Sequence, residues 1–157
     1  MKPAVQRVVD AFAAQGIIIV PREFAEQTHT AQEAANAVGT TVAQIVKSLI
    51  FLVDEHPALF LVSGANQLDV ALVEGALGQT IRRASAEQVR LATGFAIGGV
   101  PPFGHSTAMP IYFDRDLLTC DTIWAAAGTP NAVFPIASQV LKEATGAQVI
   151  QVAAISA

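Results

Sequence analysis

The sequence predicts an α+β fold: a single domain in which a mixed β-sheet curls toward a barrel with helices around it. Three observations predict it. Helix-like and strand-like segments interleave irregularly, without the sustained strand–helix–strand rhythm of a doubly wound sheet. Two strand-like runs, Lys47–Val53 and Ala58–Ser63, are separated only by Asp54–Pro57, which marks a hairpin and so antiparallel pairing. The chain of 157 residues is 52 % hydrophobic and 14 % charged, enough apolar material for one buried core and far from a disordered composition. With no internal repeat, linker or low-complexity stretch, residues 1–157 are expected to form one domain.

The elements follow in order. Val5, Val8, Val9, Phe12 and Ala13 recur at helical spacing, with Gly16 as the stop. Ile17–Val20 is a β-branched run that predicts a strand ending near Pro21. Thr30 with Glu33 has capping-box spacing and opens an alanine-rich helix that ends at Gly39. Thr41 starts a short second helix over Val42–Val46, which leads directly into the Lys47–Val53 strand. Asp69 caps a helix over Val70–Leu77, stopped by Gly78. Thr80–Arg83 predicts a short strand, and Ser85 with Gln88 caps a helix ending at Gly94. Met109–Phe113 and Thr122–Ala127 predict strands on either side of a helical turn around Asp114–Leu118. The turn Gly128–Asn131 leads into a strand over Ala132–Ile136, a helix over Ser138–Thr145 closed by Gly146, and a last strand over Val149–Val152.

Charge narrows the function classes. The net charge is −4, with six arginines and three lysines. Sequence-independent nucleic-acid binding rests largely on phosphate neutralisation, so DNA is not an expected partner, and any nucleic acid must be held locally or presented by another protein. The N-terminus is broken by charge too early for a signal-peptide core, and the longest apolar runs are split by Asp54-Glu55-His56, far short of the roughly 20 residues a bilayer needs. A cytoplasmic location without membrane contact is expected. The single cysteine, Cys120, excludes an internal disulfide and a cysteine-cluster metal site. His29, His56 and His105 lack metal-ligand spacing, so neither metal nor cofactor is expected.

Two features stand out chemically. The loop Gly98-Gly99-Val100-Pro101-Pro102-Phe103-Gly104 is permissive at its glycines and stiff at its prolines, which carry no N–H. Inward N–H groups must come from Gly98, Gly99, Val100, Phe103 or Gly104, the raw material of an oxyanion or phosphate cradle. A tight surface turn is the plain alternative. Lys47, unlike Lys2 and Lys142 near the chain ends, lies inside an apolar run, where period-2 alternation puts it on the face of Leu49, Phe51 and Val53. An ammonium there needs a partner or an opening to water. The plain alternative is a lysine at a helix end with its stem packed and its head in water. Val46 before Lys47 rules out a Walker loop, and the prolines after Gly98-Gly99 rule out a dinucleotide fingerprint. No serine sits in a nucleophile elbow, and Cys120 has no histidine nearby. Asp114 and Asp116 read as helix-start residues; Arg82, Arg83 and Arg90 form a basic grouping suited to phosphate or to a solvated edge.

Taken in order, Thr30–Gly39, Gln44–Phe51, Leu61–Gly64 followed by Leu68-Asp69, Thr93–Gly104 and Ala127–Pro130 resemble the YbaK family, which is also the editing-domain family of bacterial prolyl-tRNA synthetases. The likeness runs roughly from Phe24 to Val152. It implies a freestanding aminoacyl-tRNA deacylase, which hydrolyses the ester joining a wrongly attached amino acid to the 3′-terminal adenosine of tRNA, commonly tRNA for proline. The family's lysine falls on Lys47 and its Gly-x-x-x-Pro loop on Gly98 through Pro102, which turns both features from plain structure to function.

With no protein nucleophile evident, the expected catalytic set is Lys47 with the N–H groups of Gly98, Gly99 or Val100 on the developing oxyanion. The adenosine's vicinal hydroxyl activates water or attacks. Lys47 serves as a cation on a phosphate or carbonyl oxygen, or as a base if burial lowers its pKa. The expected walls of the acyl pocket are Phe24, Thr28, Ile45, Ser63 and Phe103, with Gly64, Pro101, Pro102, Gly104 and Gly128 shaping the site. Alanine, cysteine, serine, threonine and proline all remain open as the acyl group. Expected partners are the aminoacyl-tRNA acceptor end and a prolyl-tRNA synthetase that delivers it. The rival reading is a module that binds an aminoacyl or nucleotide moiety without turnover. A DNA-binding reading finds support neither in the charge nor in a helix-turn-helix pattern.

Overall fold

In the computed structural model, which describes residues 1–26 and 28–154, α1 (Pro3–Ala13) buries Val5, Val8 and Phe12 on one face. An extended stretch carries the chain to the two-residue β1 (Arg22–Glu23). α2 (Ala31–Val38) is capped by Thr30, whose hydroxyl accepts from the Glu33 N–H at 3.0 Å. One 3₁₀ turn, Val42–Gln44, then delivers β2 (Val46–Val53). The chain reverses into β3 (His56–Ser63) through Asp54 and Glu55 alone. Both have positive φ, 46° and 70°, as a tight hairpin between right-twisted strands requires. α3 (Val70–Leu77), β4 (Ile81–Arg83) and α4 (Ala86–Thr93) follow, then the glycine–proline loop. β5 (Ile111–Asp114), a 3₁₀ turn over Arg115–Thr119, β6 (Thr122–Ala126), β7 (Ala132–Ala137), α5 (Ser138–Thr145) and β8 (Gln148–Ile150) complete the order.

The strands form two sheets. The larger runs β4-β2-β3-β5-β8, antiparallel across β4, β2 and β3 and parallel across β3, β5 and β8. The smaller, β1-β7-β6, is antiparallel. A parallel bridge between Ile45 and Trp124 joins the entrance of β2 to β6, so the sheets curl toward a barrel without closing. Phe12, Leu59, Leu61, Phe113 and Phe134 fill the main core. On the other face of the larger sheet, Phe51, Phe60 and Val62 pack with Val73 of α3. The Phe12 ring meets Phe103 and Phe134 at 5.5 and 5.2 Å, tying α1 to the far end of the glycine–proline loop and to β7.

One detail of topology makes the site. β4 pairs with β2 only at Phe51, Leu52 and Val53. From Val46 to Leu49 β4 therefore leaves that edge of β2 open.

The strand expected over Ile17–Val20 does not form. Ile19 is buried, but Ile18 and Val20 are 81 % and 69 % exposed, and the stretch has no partner strand among the described residues; pairing there begins at Arg22, beyond Pro21. A β-branched run supplies extended backbone, but a strand also needs a neighbour. The strand expected over Met109–Phe113 starts later and takes in Asp114, and the closing strand is Gln148–Ile150 rather than Val149–Val152. There the Val152 carbonyl leaves the sheet and accepts from the Asp69 N–H at 2.8 Å.

Candidate active site

A cleft of about 350 Å³ opens along the free edge of β2. Val46, Lys47, Ser48 and Leu49 line it from the strand, Ile97, Gly98 and Val100 from the glycine–proline loop. Thr28, the first turns of α2, Trp124 and the Thr129-Pro130 turn enclose the other sides. A small pouch of about 60 Å³ lies beside it, sharing Ser48, Leu49, Arg83, Ile97 and Val100. The Ser48 hydroxyl, between the two, is buried without a hydrogen-bond partner among the described residues.

The loop is seated by backbone-on-backbone packing. A Cβ on Gly99 would stand 2.8 Å from the Thr129 Cα and 2.9 Å from the Gly128 oxygen, so only glycine permits this approach. Gly128 is itself pressed onto α1, where a Cβ would meet the Ala4 oxygen at 2.6 Å. The Gly99 N–H is spent inside the loop, donating to the Ala96 oxygen at 3.0 Å, whereas the Gly98 and Val100 N–H groups have no backbone partner among the described residues. Beneath the loop, His105 Nε2 donates to the Pro101 oxygen at 2.6 Å. Burial holds the His105 pKa below its ordinary value, against the opposing effect of that hydrogen bond, so the ring is a neutral donor.

The opposite wall is strapped to the same turn. The Phe24 N–H donates to the Asn131 oxygen and the Asn131 carboxamide donates back to the Phe24 oxygen, both at 2.8 Å, while the Thr28 hydroxyl donates to the Pro130 oxygen at 3.3 Å. The Arg22 guanidinium lies 5.7 Å from the Trp124 ring and 5.9 Å from the Phe24 ring.

Lys47 is half-buried, and its ammonium donates to the main-chain oxygen of Asn66. Burial lowers its pKa, the Asp114 carboxylate opposes that, and the Arg83 charge adds to the lowering. Strand alternation separates the neighbouring arginines. Arg82 pairs with Glu55 at 2.6 Å, while Arg83 lies above the Phe51 ring at 5.8 Å, lines the cleft, and enters no ion pair among the described residues. Arg90 sits apart, exposed on α4. Two positive groups thus border one cleft in an acidic chain.

Of the residues singled out in the sequence, the structure gathers Lys47, Gly98, Val100, Thr28 and Ile45 around the cleft. The others stand behind it. Gly99, Pro101, Pro102, Phe103, Gly104 and Gly128 build the seat of the loop, with Pro101 and Pro102 buried and the Phe103 ring tilted against Phe12. Phe24 belongs to the strap. Ser63 is buried, its hydroxyl donating to the Ala43 oxygen at 2.8 Å, and Gly64 packs under Val42. Asp114, expected only to start a helix, does accept from the Asp116 N–H, but it also accepts from the Ser63 N–H and the Asn66 carboxamide. Its acidic neighbour Asp116 was the visible hint. Asn66 and Trp124 carried no signal in the sequence, since their roles depend on strand pairing.

Comparison with known proteins identifies the family. Residues 25–144 match the family model described as an aminoacyl-tRNA editing domain. The uncharacterized YwhH protein of Bacillus subtilis is 30 % identical over 122 residues, covering 77 % of this chain and 78 % of that one. A proline–tRNA ligase of Maridesulfovibrio salexigens is 38 % identical over 99 residues; the match takes in 62 % of this chain and only 17 % of the ligase. A crystal structure described as that of a candidate trans-editing enzyme for prolyl-tRNA synthetase superposes with a TM-score of 0.93 at 46 % identity, over 99 % of each chain. The chain belongs to the aminoacyl-tRNA editing domain family, which it shares with prolyl-tRNA synthetases.

Proposed function

We propose that the chain is a freestanding editing hydrolase that removes a small, wrongly attached amino acid from the 3′-terminal adenosine of tRNA, with tRNA for proline as the leading substrate. The observation that carries this reading is that Lys47, Gly98 and Val100 line one cleft at the open edge of β2, with the Gly98 and Val100 N–H groups free of backbone partners among the described residues. Hydrolysis adds a water oxygen to the acyl carbon, breaks the ester C–O bond and leaves a proton on the released adenosine oxygen. Between those events the carbonyl oxygen carries negative charge. Gly98 and Val100 are the donors for it, each such donor being worth about 3 kcal/mol in known cases. Gly99, whose own N–H is engaged, contributes the close seat that aims its neighbours. The adenosine's vicinal hydroxyl activates the water or attacks first.

Lys47 acts here as a cation: the Asn66 oxygen takes an N–H from it, and against burial and the Arg83 charge, which together lower its pKa, the Asp114 charge favours the ammonium. With Arg83 it meets the terminal phosphodiester, which answers the net acidity of the chain by holding tRNA locally. Thr28 and Ile45 bound the acyl group, and Phe24, Ser63, Gly64, Pro101, Pro102, Phe103, Gly104 and Gly128 hold the walls in place. One methylene changes binding by only about 1–3 kcal/mol, so selection works by exclusion of larger side chains. The place of action is the cytoplasm, with the acceptor end free or handed over by a prolyl-tRNA synthetase.

The test is deacylation of tRNA for proline carrying alanine, cysteine, serine, threonine or proline, on normal and 2′-deoxyadenosine-terminated tRNA. Catalytic release of one or two of these amino acids, lost on the deoxy substrate, is the expected result. Tight binding without release of any would overturn the reading in favour of a binding module.

A further inference from the structure

The Lys47 ammonium rests on a carbonyl that is itself clamped. The Asn66 N–H donates to the Ser63 oxygen at 2.9 Å, closing the turn that ends β3. The Asn66 carboxamide then donates both its hydrogens to carboxylates, to Asp114 Oδ2 at 2.9 Å and to Asp116 Oδ2 at 2.8 Å. Asp114 is 1 % exposed at the end of β5 and accepts also from the Ser63 N–H at 3.0 Å and the Asp116 N–H at 2.9 Å. Capping the 3₁₀ turn needs only an acceptor oxygen, which a neutral side chain supplies. A buried negative charge at this position is costly unless something answers it. By register Lys47 pairs with Val62, and Asp114 follows Phe113, which pairs with Leu61, so both side chains lie on one face of the sheet.

We propose that Asp114, acting through Asn66, is the positioning residue for Lys47: it fixes the carbonyl on which the ammonium rests and answers its charge, so that the cation is presented to the cleft. This rests on the reading of Lys47 as the cation of the site. The charged groups facing Lys47 are Asp114 from β5, Asp116 from the following 3₁₀ turn by way of Asn66, and Arg83 from β4. Burial and Arg83 favour the neutral amine, and Asp114 opposes them.

The experiment follows the Lys47 side-chain NMR resonance through a pH titration, assigned by its loss in Lys47→Arg, alongside kcat and KM for deacylation. In Asp114→Asn, of nearly the same shape, the Lys47 titration moves to lower pH by about one unit or more. The kcat falls roughly ten- to a hundredfold, with KM changed far less. Should that variant not fold, Asn66→Ala keeps the Asp114 charge and removes the link; kcat then falls in the same direction. A folded Asp114→Asn whose Lys47 titration is unmoved overturns the proposal, as does a moved titration with unchanged kcat. If the titration moves while the wild type itself hydrolyses no aminoacyl-tRNA, the positioning stands and the hydrolase reading fails.

Discussion

Gly99→Ala is the substitution for which the structure gives the sharpest magnitude. The added Cβ would lie 2.8 Å from the Thr129 Cα, 0.6 Å inside the 3.4 Å at which ordinary contact begins, and it would also press on the Gly128 oxygen and carbonyl carbon at 2.9 and 3.0 Å. These are backbone atoms and cannot swing aside. Gly128 cannot retreat either, because α1 lies directly behind it. The loop must therefore lift off its seat, at the roughly 1–3 kcal/mol typical of overpacking. For a chain of this length each kcal/mol lowers Tm by about 2–4 °C, so a fall of about 2–12 °C is expected. Gly98→Ala is the comparison: its Cβ meets Pro130 at an ordinary 3.7 Å, and only the positive φ of 88° opposes it, at about 1 kcal/mol. Lifting the loop also displaces the Gly98 and Val100 N–H groups on either side, so Gly99→Ala loses turnover at temperatures where it is still folded. Thermal denaturation by circular dichroism, paired with deacylation, reads both effects. A Gly99→Ala protein with wild-type Tm and wild-type turnover would refute the reasoning.

Two further outcomes are expected. Arg83→Ala raises KM and lowers the salt dependence of tRNA binding by about one contact's worth of slope while kcat stays within about twofold, which titrations at several salt concentrations measure. His105 gives a pH signature: because burial holds its folded pKa below the ordinary value, the unfolded chain takes up its proton first as pH falls. Its contribution to stability is therefore complete above the ordinary histidine pKa of 6.5 and is lost from there down toward the folded pKa. Between about pH 7.5 and pH 5, Tm should fall further in the wild type than in His105→Gln, and equal slopes would remove this role.

Much of the fold was legible because its signals are local. Thr30, Asp69 and Ser85 each accept a hydrogen bond from the N–H three residues on, as their spacing predicts, and Gly39, Gly78, Gly94 and Gly146 end their helices in the left-handed conformation. The hairpin was equally plain. What local pattern cannot carry is pairing, and the run Ile17–Val20 shows it: the residues favour extension, but among the described residues no strand pairs with them. The site divides in the same way. Lys47 and the glycine–proline loop announce themselves by residue type in an unlikely setting. Asn66 and Asp114 lie 48 residues apart, and only the parallel pairing of β3 with β5 brings the turn after one to the end of the other. The arginine grouping divides for a simpler reason, since adjacent residues of a strand point to opposite faces and, of the three, Arg83 lines the cleft.

The most direct test of the central claim is multiple-turnover deacylation of the panel of aminoacylated proline tRNAs by the wild type and by Lys47→Ala, with folding of the variant confirmed by its melting curve. The expected result is catalytic release of one or two small amino acids by the wild type and a loss of at least about a hundredfold in the variant. Undiminished release by a folded Lys47→Ala protein would contradict it.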